Sequence, residues 1–270
     1  MKKYVPYANL LTLGAGVLGM LLQFLLLAGG TDEKGLYPAA HPAWVLLCIL
    51  TPIVLSGLWL LVCSAGNGRT YRGNFPPSLP AAAGYLVGGI GLLVAGIGGL
   101  SGEKTIHIVS GVVGILSGIL LFWAAWCRFQ GRKCALLPHV LPCVFFALQL
   151  FILGQDLGSE PELCRYLFHF LAMLSMLPAC YWLWSFDVGM GHRPKCLFWC
   201  LAAAYLNLVA IAGNPQWLLH LCMAAWLLNA LPRLQYLPKR QRPVPAPQPA
   251  APKEVDAMLD QILSELDSKP

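Results

Sequence analysis

The chain is predicted to be all-α: a polytopic membrane bundle of eight transmembrane helices in four hairpins, with both termini cytoplasmic. Three observations predict this. Of 270 residues, 57% are hydrophobic and only 11% charged, against roughly one quarter charged in soluble globular domains. Apolar runs of about 18 to 24 residues recur along the chain, long enough at about 1.5 Å per residue to cross a hydrocarbon core of about 30 Å. Basic residues concentrate in alternate loops, as they do when one set of loops is cytoplasmic.

The first run, residues 8–29, follows Lys2 and Lys3. It has the outline of a signal peptide, but its apolar stretch exceeds the usual length of about 7 to 15 residues, so it is read as a retained helix. The second, 43–65, contains Pro52, and the sixth, 165–186, contains Pro178; each proline removes a ladder hydrogen bond and is expected to kink its helix. The third and fourth runs, 80–100 and 107–127, carry small residues at steps of three and four: Gly84, Gly88, Gly91, Ala95 and Gly99, then Ser110, Gly114 and Gly118. Such stripes let helix backbones approach closely. They serve packing within a bundle or, in the alternative reading, a homo-oligomer. The fifth run is 138–155, the seventh 196–213 and the eighth 216–232. None alternates as barrel strands do, and backbone in lipid must satisfy its own hydrogen bonds, so each is a helix.

With the N-terminus inside, thirteen basic residues are cytoplasmic: Lys2, Lys3, Arg69, Arg72, Arg128, Arg132, Lys133, Arg193, Lys195, Arg233, Lys239, Arg240 and Arg242. The opposite side has Lys34, Lys104 and Arg165, among six acids. This bias sets the orientation. It also accounts for the net charge of +6, so nucleic acid is not an expected partner. Trp59, Trp123, Trp126, Trp182, Trp184 and Trp226 cluster toward the inner ends of the even-numbered runs, where indoles anchor at headgroup level. The expected location is a bacterial cytoplasmic membrane, with lipid as the surrounding partner.

The last two hairpins echo one another. Gln149 and Asn207 each precede an outer turn, and Tyr166 and Trp217 each stand three residues before a histidine, His169 and His220. His41 and His107 open the second and fourth runs. Four imidazoles at one depth raise the chemistry of zinc, copper or haem. Yet no two share a helix at ligand spacing, and no HExxH is present, so the adopted reading is interfacial hydrogen bonding without metal. Cys127, Cys134, Cys196 and Cys200 lie near His139 and His192 at spacings unlike a CxxC knuckle; they are read as free thiols. No cofactor is expected.

Enzymatic signatures are missing: no GxSxG, no GxxxxGK[ST] and no dinucleotide fingerprint occurs. Asp156 and Asp187 fall at opposite ends of the membrane and cannot act as a pair. These absences lean against an enzyme and leave the question open. Neutral polar residues within the runs remain, and Gln23, His41, His107, Gln149, His169, Asn207 and His220 are the candidates for a ligand site or polar path.

Three segments result: a bundle over 1–234, a basic and then proline-rich cytoplasmic linker over 235–252, and an acidic amphipathic helix over 253–269. In the linker, "PVPAPQPAAP" favours an extended arm of about 3.1 Å per residue. Beyond it Val255, Met258, Leu259, Ile262, Leu263 and Leu266 recur at helical spacing on one face. Five acids against two lysines disfavour anionic lipid as the surface that covers this face. The sequence therefore favours an adaptor or assembly subunit whose tail captures a soluble cytoplasmic protein. The alternative is an uncoupled transporter for a small neutral or lipidic molecule.

Overall fold

A computed structural model describes residues 7–29, 41–63, 65, 71–102, 104–134, 137–157 and 163–231. The chain divides into two compact units, Met1–Leu237 and Pro238–Pro270. The second, which includes the acidic amphipathic segment and its six apolar positions, lies outside the described residues.

All regular structure among the described residues is helical. The long helices are α1 (Tyr7–Ala28), α2 (Pro42–Cys63), α4 (Leu79–Leu100), α5 (Thr105–Gln130), α6 (Leu137–Leu157), α7 (Leu163–Ser185), α8 (Arg193–Ala210) and α9 (Trp217–Ala230), with a single turn, α3 (Tyr71–Asn74), between α2 and α4. Six of them, α1, α2 and α4 to α7, are long and apolar enough to cross a membrane. Their outward faces are apolar too: Leu10, Phe24, Ile53, Leu60, Ile97 and Ile119 are all more than half exposed. A soluble monomer rarely leaves so much contiguous apolar surface uncovered.

Helices α4 to α9 form a closed ring in which each packs on the next and α9 returns to α4, while α1 and α2 pack on one another and on α8. Consecutive helices thus pair as α1–α2, α4–α5, α6–α7 and α8–α9. Helix α8 holds the two groups together, and all its residues except Lys195, Phe198 and Trp199 are buried. Within this core the Thr51 and Tyr205 hydroxyls lie 3.1 Å apart.

The expected small-residue stripes are consumed inside the chain. Gly84 and Gly88 face Asn229 and Trp226 of α9, where an added Cβ would come within 2.7 and 2.9 Å of a side chain. Gly96 and Gly111 bring the α4 and α5 backbones together: a Cβ on Gly96 would stand 2.7 Å from the Ile115 nitrogen, and one on Gly111 2.7 Å from the Gly96 oxygen. The face considered for self-association is therefore covered by α9, α5 and α6 of the same molecule. Alternating chain direction leaves two ends. One carries the α4–α5 and α8–α9 turns with His107, His169 and His220; the other carries Arg128 and His139.

Candidate functional site

The histidine end of the ring encloses a cavity of about 610 Å³. Its wall brings together Gln23 from α1, His107 from α5, Gln149 from α6 and His169 from α7, four of the seven residues singled out from sequence. Asn214 and Gln216, from the turn between α8 and α9, complete the polar wall with Tyr166. Apolar surface comes from Ile152, Leu153, Phe168, Leu218 and Leu219. No Asp, Glu, Lys or Arg is among the described lining residues.

Asn207 and His220 sit behind this wall as its support. The Asn207 amide nitrogen donates to the Ala203 carbonyl at 2.8 Å, so its oxygen is turned to accept from His220 Nδ1, also at 2.8 Å. His220 Nε2 is left as an acceptor. It faces His169 Nδ1 at 2.7 Å and the Asn214 amide nitrogen at 3.2 Å, and those two nitrogens are 2.6 Å apart. The Asn214 oxygen is held in turn by the Gln216 backbone N–H at 2.8 Å. Three nitrogens thus converge at hydrogen-bonding distances, and one of them is an amide nitrogen, which is no metal ligand. This arrangement fixes ring orientation at the cavity wall.

Gln149 is oriented by its bond to buried Ser110, Nε2 donating to Oγ at 3.1 Å. Gln23 is 1% exposed and lines the cavity, yet its Oε1 has no hydrogen-bond partner among the described residues, and the same holds for Gln216 Oε1. His41 stands apart from the wall. Its Nδ1 accepts from the Ala43 N–H at 3.3 Å at the start of α2, and its ring lies against Gly29. The structure therefore places three of the four histidines at the cavity or directly behind it, and gives His41 a helix-end role.

A second polar cluster, which the sequence does not single out, occupies the opposite end. Arg128 is 4% exposed; its guanidinium carbon lies 3.8 Å over the Phe75 ring, and Nη2 donates to the Tyr85 hydroxyl at 3.2 Å. Tyr85 is 2.9 Å from His139 Nε2, and His139 Nδ1 is 3.5 Å from Asp187. Asp187 lies in the turn after α7. Burial raises its carboxyl to about 6, against the opposing pull of Arg128 and Lys133. The signal for this cluster lies in the charge pattern: Asp187 is the lone acid on the basic side before the tail. Three segments close over this end, through Phe75 against Phe186 at 5.1 Å and the Tyr71 hydroxyl donating to the Arg132 carbonyl at 2.8 Å.

The fold defines a helical integral membrane protein with a polar cavity. No family model, curated protein or solved structure matches the chain.

Proposed function

We propose that this protein is an uncoupled transporter or permease for a small neutral molecule, which enters through the cavity at the histidine end. The observation that carries the reading is the convergence of Gln23, His107, Gln149 and His169 on one cavity of about 610 Å³, a size within the range of about 300 to 1,000 Å³ that small-molecule sites occupy. Ion coupling generally relies on charged side chains in the membrane, and the cavity wall supplies none among the described residues. The reading includes eight spans with both termini cytoplasmic. Helix α8 is enclosed by protein, which relaxes the demand for apolar composition, and the thirteen-to-three basic bias orients the cavity outward. The Arg128 cluster then closes the inner end.

Solute-driven swelling of proteoliposomes containing the purified chain tests this. Swelling faster than in protein-free vesicles, slowed by Gly98→Leu, is expected. Gly98 lines the cavity and a Cβ there meets nothing within 4 Å, so leucine narrows the space without disturbing the packing. Equal rates with and without protein across neutral solutes sink the reading.

A second role, recruitment of a soluble cytoplasmic protein, rests on the sequence pattern of residues 253–269. Met258, Leu259, Ile262 and Leu266 would anchor such a partner in a groove. Ile262→Asp with Leu266→Asp is expected to release whatever copurifies with the full chain and to leave solute flux unchanged. An unchanged set of copurifying proteins removes this role.

A further inference from the structure

Resting on the transporter reading, we infer that the cavity selects a neutral polyhydroxylated solute of roughly monosaccharide size. Charge is excluded first. An ion entering this wall loses hydration and meets no countercharge from the described lining residues, whereas a neutral solute carries no such penalty. An apolar guest is disfavoured next, because His107, Gln149, His169 and Asn214 line the wall and hydrocarbon would take water from these side chains without replacing its hydrogen bonds. The guest therefore brings hydrogen-bonding groups.

The distribution of polar side chains narrows the class further. His107 belongs to α5, Gln149 to α6 and Asn214 to the turn before α9, so polar groups address the guest from three separate elements. Gln149 has committed its nitrogen to Ser110, which leaves its oxygen as an acceptor for the cavity. A single polar head on an apolar tail satisfies one such element; hydroxyls spread around a compact body satisfy all three. Hydroxyl groups both donate and accept, as a wall of amides and imidazoles requires. Phe168, Leu218 and Ile152 supply apolar surface between the amides for the C–H faces of a ring or chain. At about 610 Å³ the cavity has room for such a body together with water.

The test uses the full chain in proteoliposomes and four probes at equal osmotic strength: xylitol, glucose, ethylammonium chloride and sodium propionate. Binding of a radiolabelled alkyl amphiphile serves as a fifth arm. Protein-dependent swelling with xylitol or glucose and with neither salt is expected. His107→Leu and Gln149→Leu, which replace a polar side chain of the wall with an apolar one of similar size, each lower the polyol rate or affinity by about tenfold, while Gly98→Leu lowers it by narrowing the space. Thermal melting of each variant in detergent establishes folding.

Protein-dependent movement of a salt, or saturable amphiphile binding, that is lowered by Gly98→Leu overturns the polyol assignment and leaves the cavity as the path. Polyol movement unaffected by all three leucine variants overturns both the assignment and the cavity. Absence of movement and binding for every probe overturns the assignment together with the transporter reading.

Discussion

Asp187 shows how a residue's place, rather than its type, decides its chemistry. Exposed acids at a membrane surface are ordinary; this one is withdrawn beside His139, and burial raises its carboxyl from 3.8 to about 6. The native state thus binds this proton more tightly than the unfolded chain does. The stability it contributes is fully present below about pH 3.8 and is lost as pH rises through about 6. The Asp187→Asn substitution removes that dependence. Melting in detergent from pH 4 to pH 8 is therefore expected to show the parent losing stability relative to Asp187→Asn across this window, with the variant the more stable above it. A constant difference between the two chains contradicts the assignment of a buried, proton-holding carboxyl.

Among helices, the contrast between glycines is the sharpest consequence of the packing. Gly111 and Gly98 lie in adjoining helices of one hairpin, yet an added Cβ at Gly111 meets α4 backbone at 2.7 Å, while at Gly98 it meets nothing within 4 Å. Backbone cannot rotate away as a side chain does. Gly111→Val is expected to cost about 1 to 3 kcal/mol or more through overpacking, and Gly98→Ala to change stability by well under 1 kcal/mol, with helix propensity slightly in its favour. Denaturation of both variants in one detergent measures this; equal stabilities contradict the α4–α5 interface.

Sequence patterning makes the helices legible and leaves their ends uncertain. Apolar composition starts the seventh run at residue 196, but α8 begins at Arg193, because a basic residue followed by proline reads as loop although Arg193 is 1% exposed within the bundle. Arg128, a basic residue at the end of an apolar run, also reads as loop, yet α5 continues to Gln130 and buries it. The cavity is partly legible too. Gln23, Gln149 and His169 stand out as polar residues in apolar helices, where they need partners. Asn214 and Gln216 sit in "GNPQ", a turn in which polar residues are ordinary and nothing marks them. His41 shares the sequence pattern of the other histidines, but its place at the start of α2 separates it from the wall. Which polar residues share a cavity depends on how the ring closes, and single-helix periodicity carries no such information.

At the scale of the whole molecule, the bundle joins two ends of unlike character. One is an open cavity with no Asp, Glu, Lys or Arg among its described lining residues; the other is sealed by Arg128, Tyr85, Phe75 and the turns around them. In the proposed topology, with eight spans and cytoplasmic termini, the cavity lies on the outer face, and the transporter reading depends on water reaching it from there. The most direct measurement is labelling of Gly98→Cys by a membrane-impermeant maleimide added to intact cells, read as the increase over the parent chain. Ile97→Cys is the control, since residue 97 is 61% exposed on the outward face that lipid would cover. An outward-facing cavity predicts rapid labelling at position 98 from outside, slowed by the solute that the protein carries, and none at position 97. Labelling at 98 only after the cells are opened, or at a rate equal to that at 97, contradicts it.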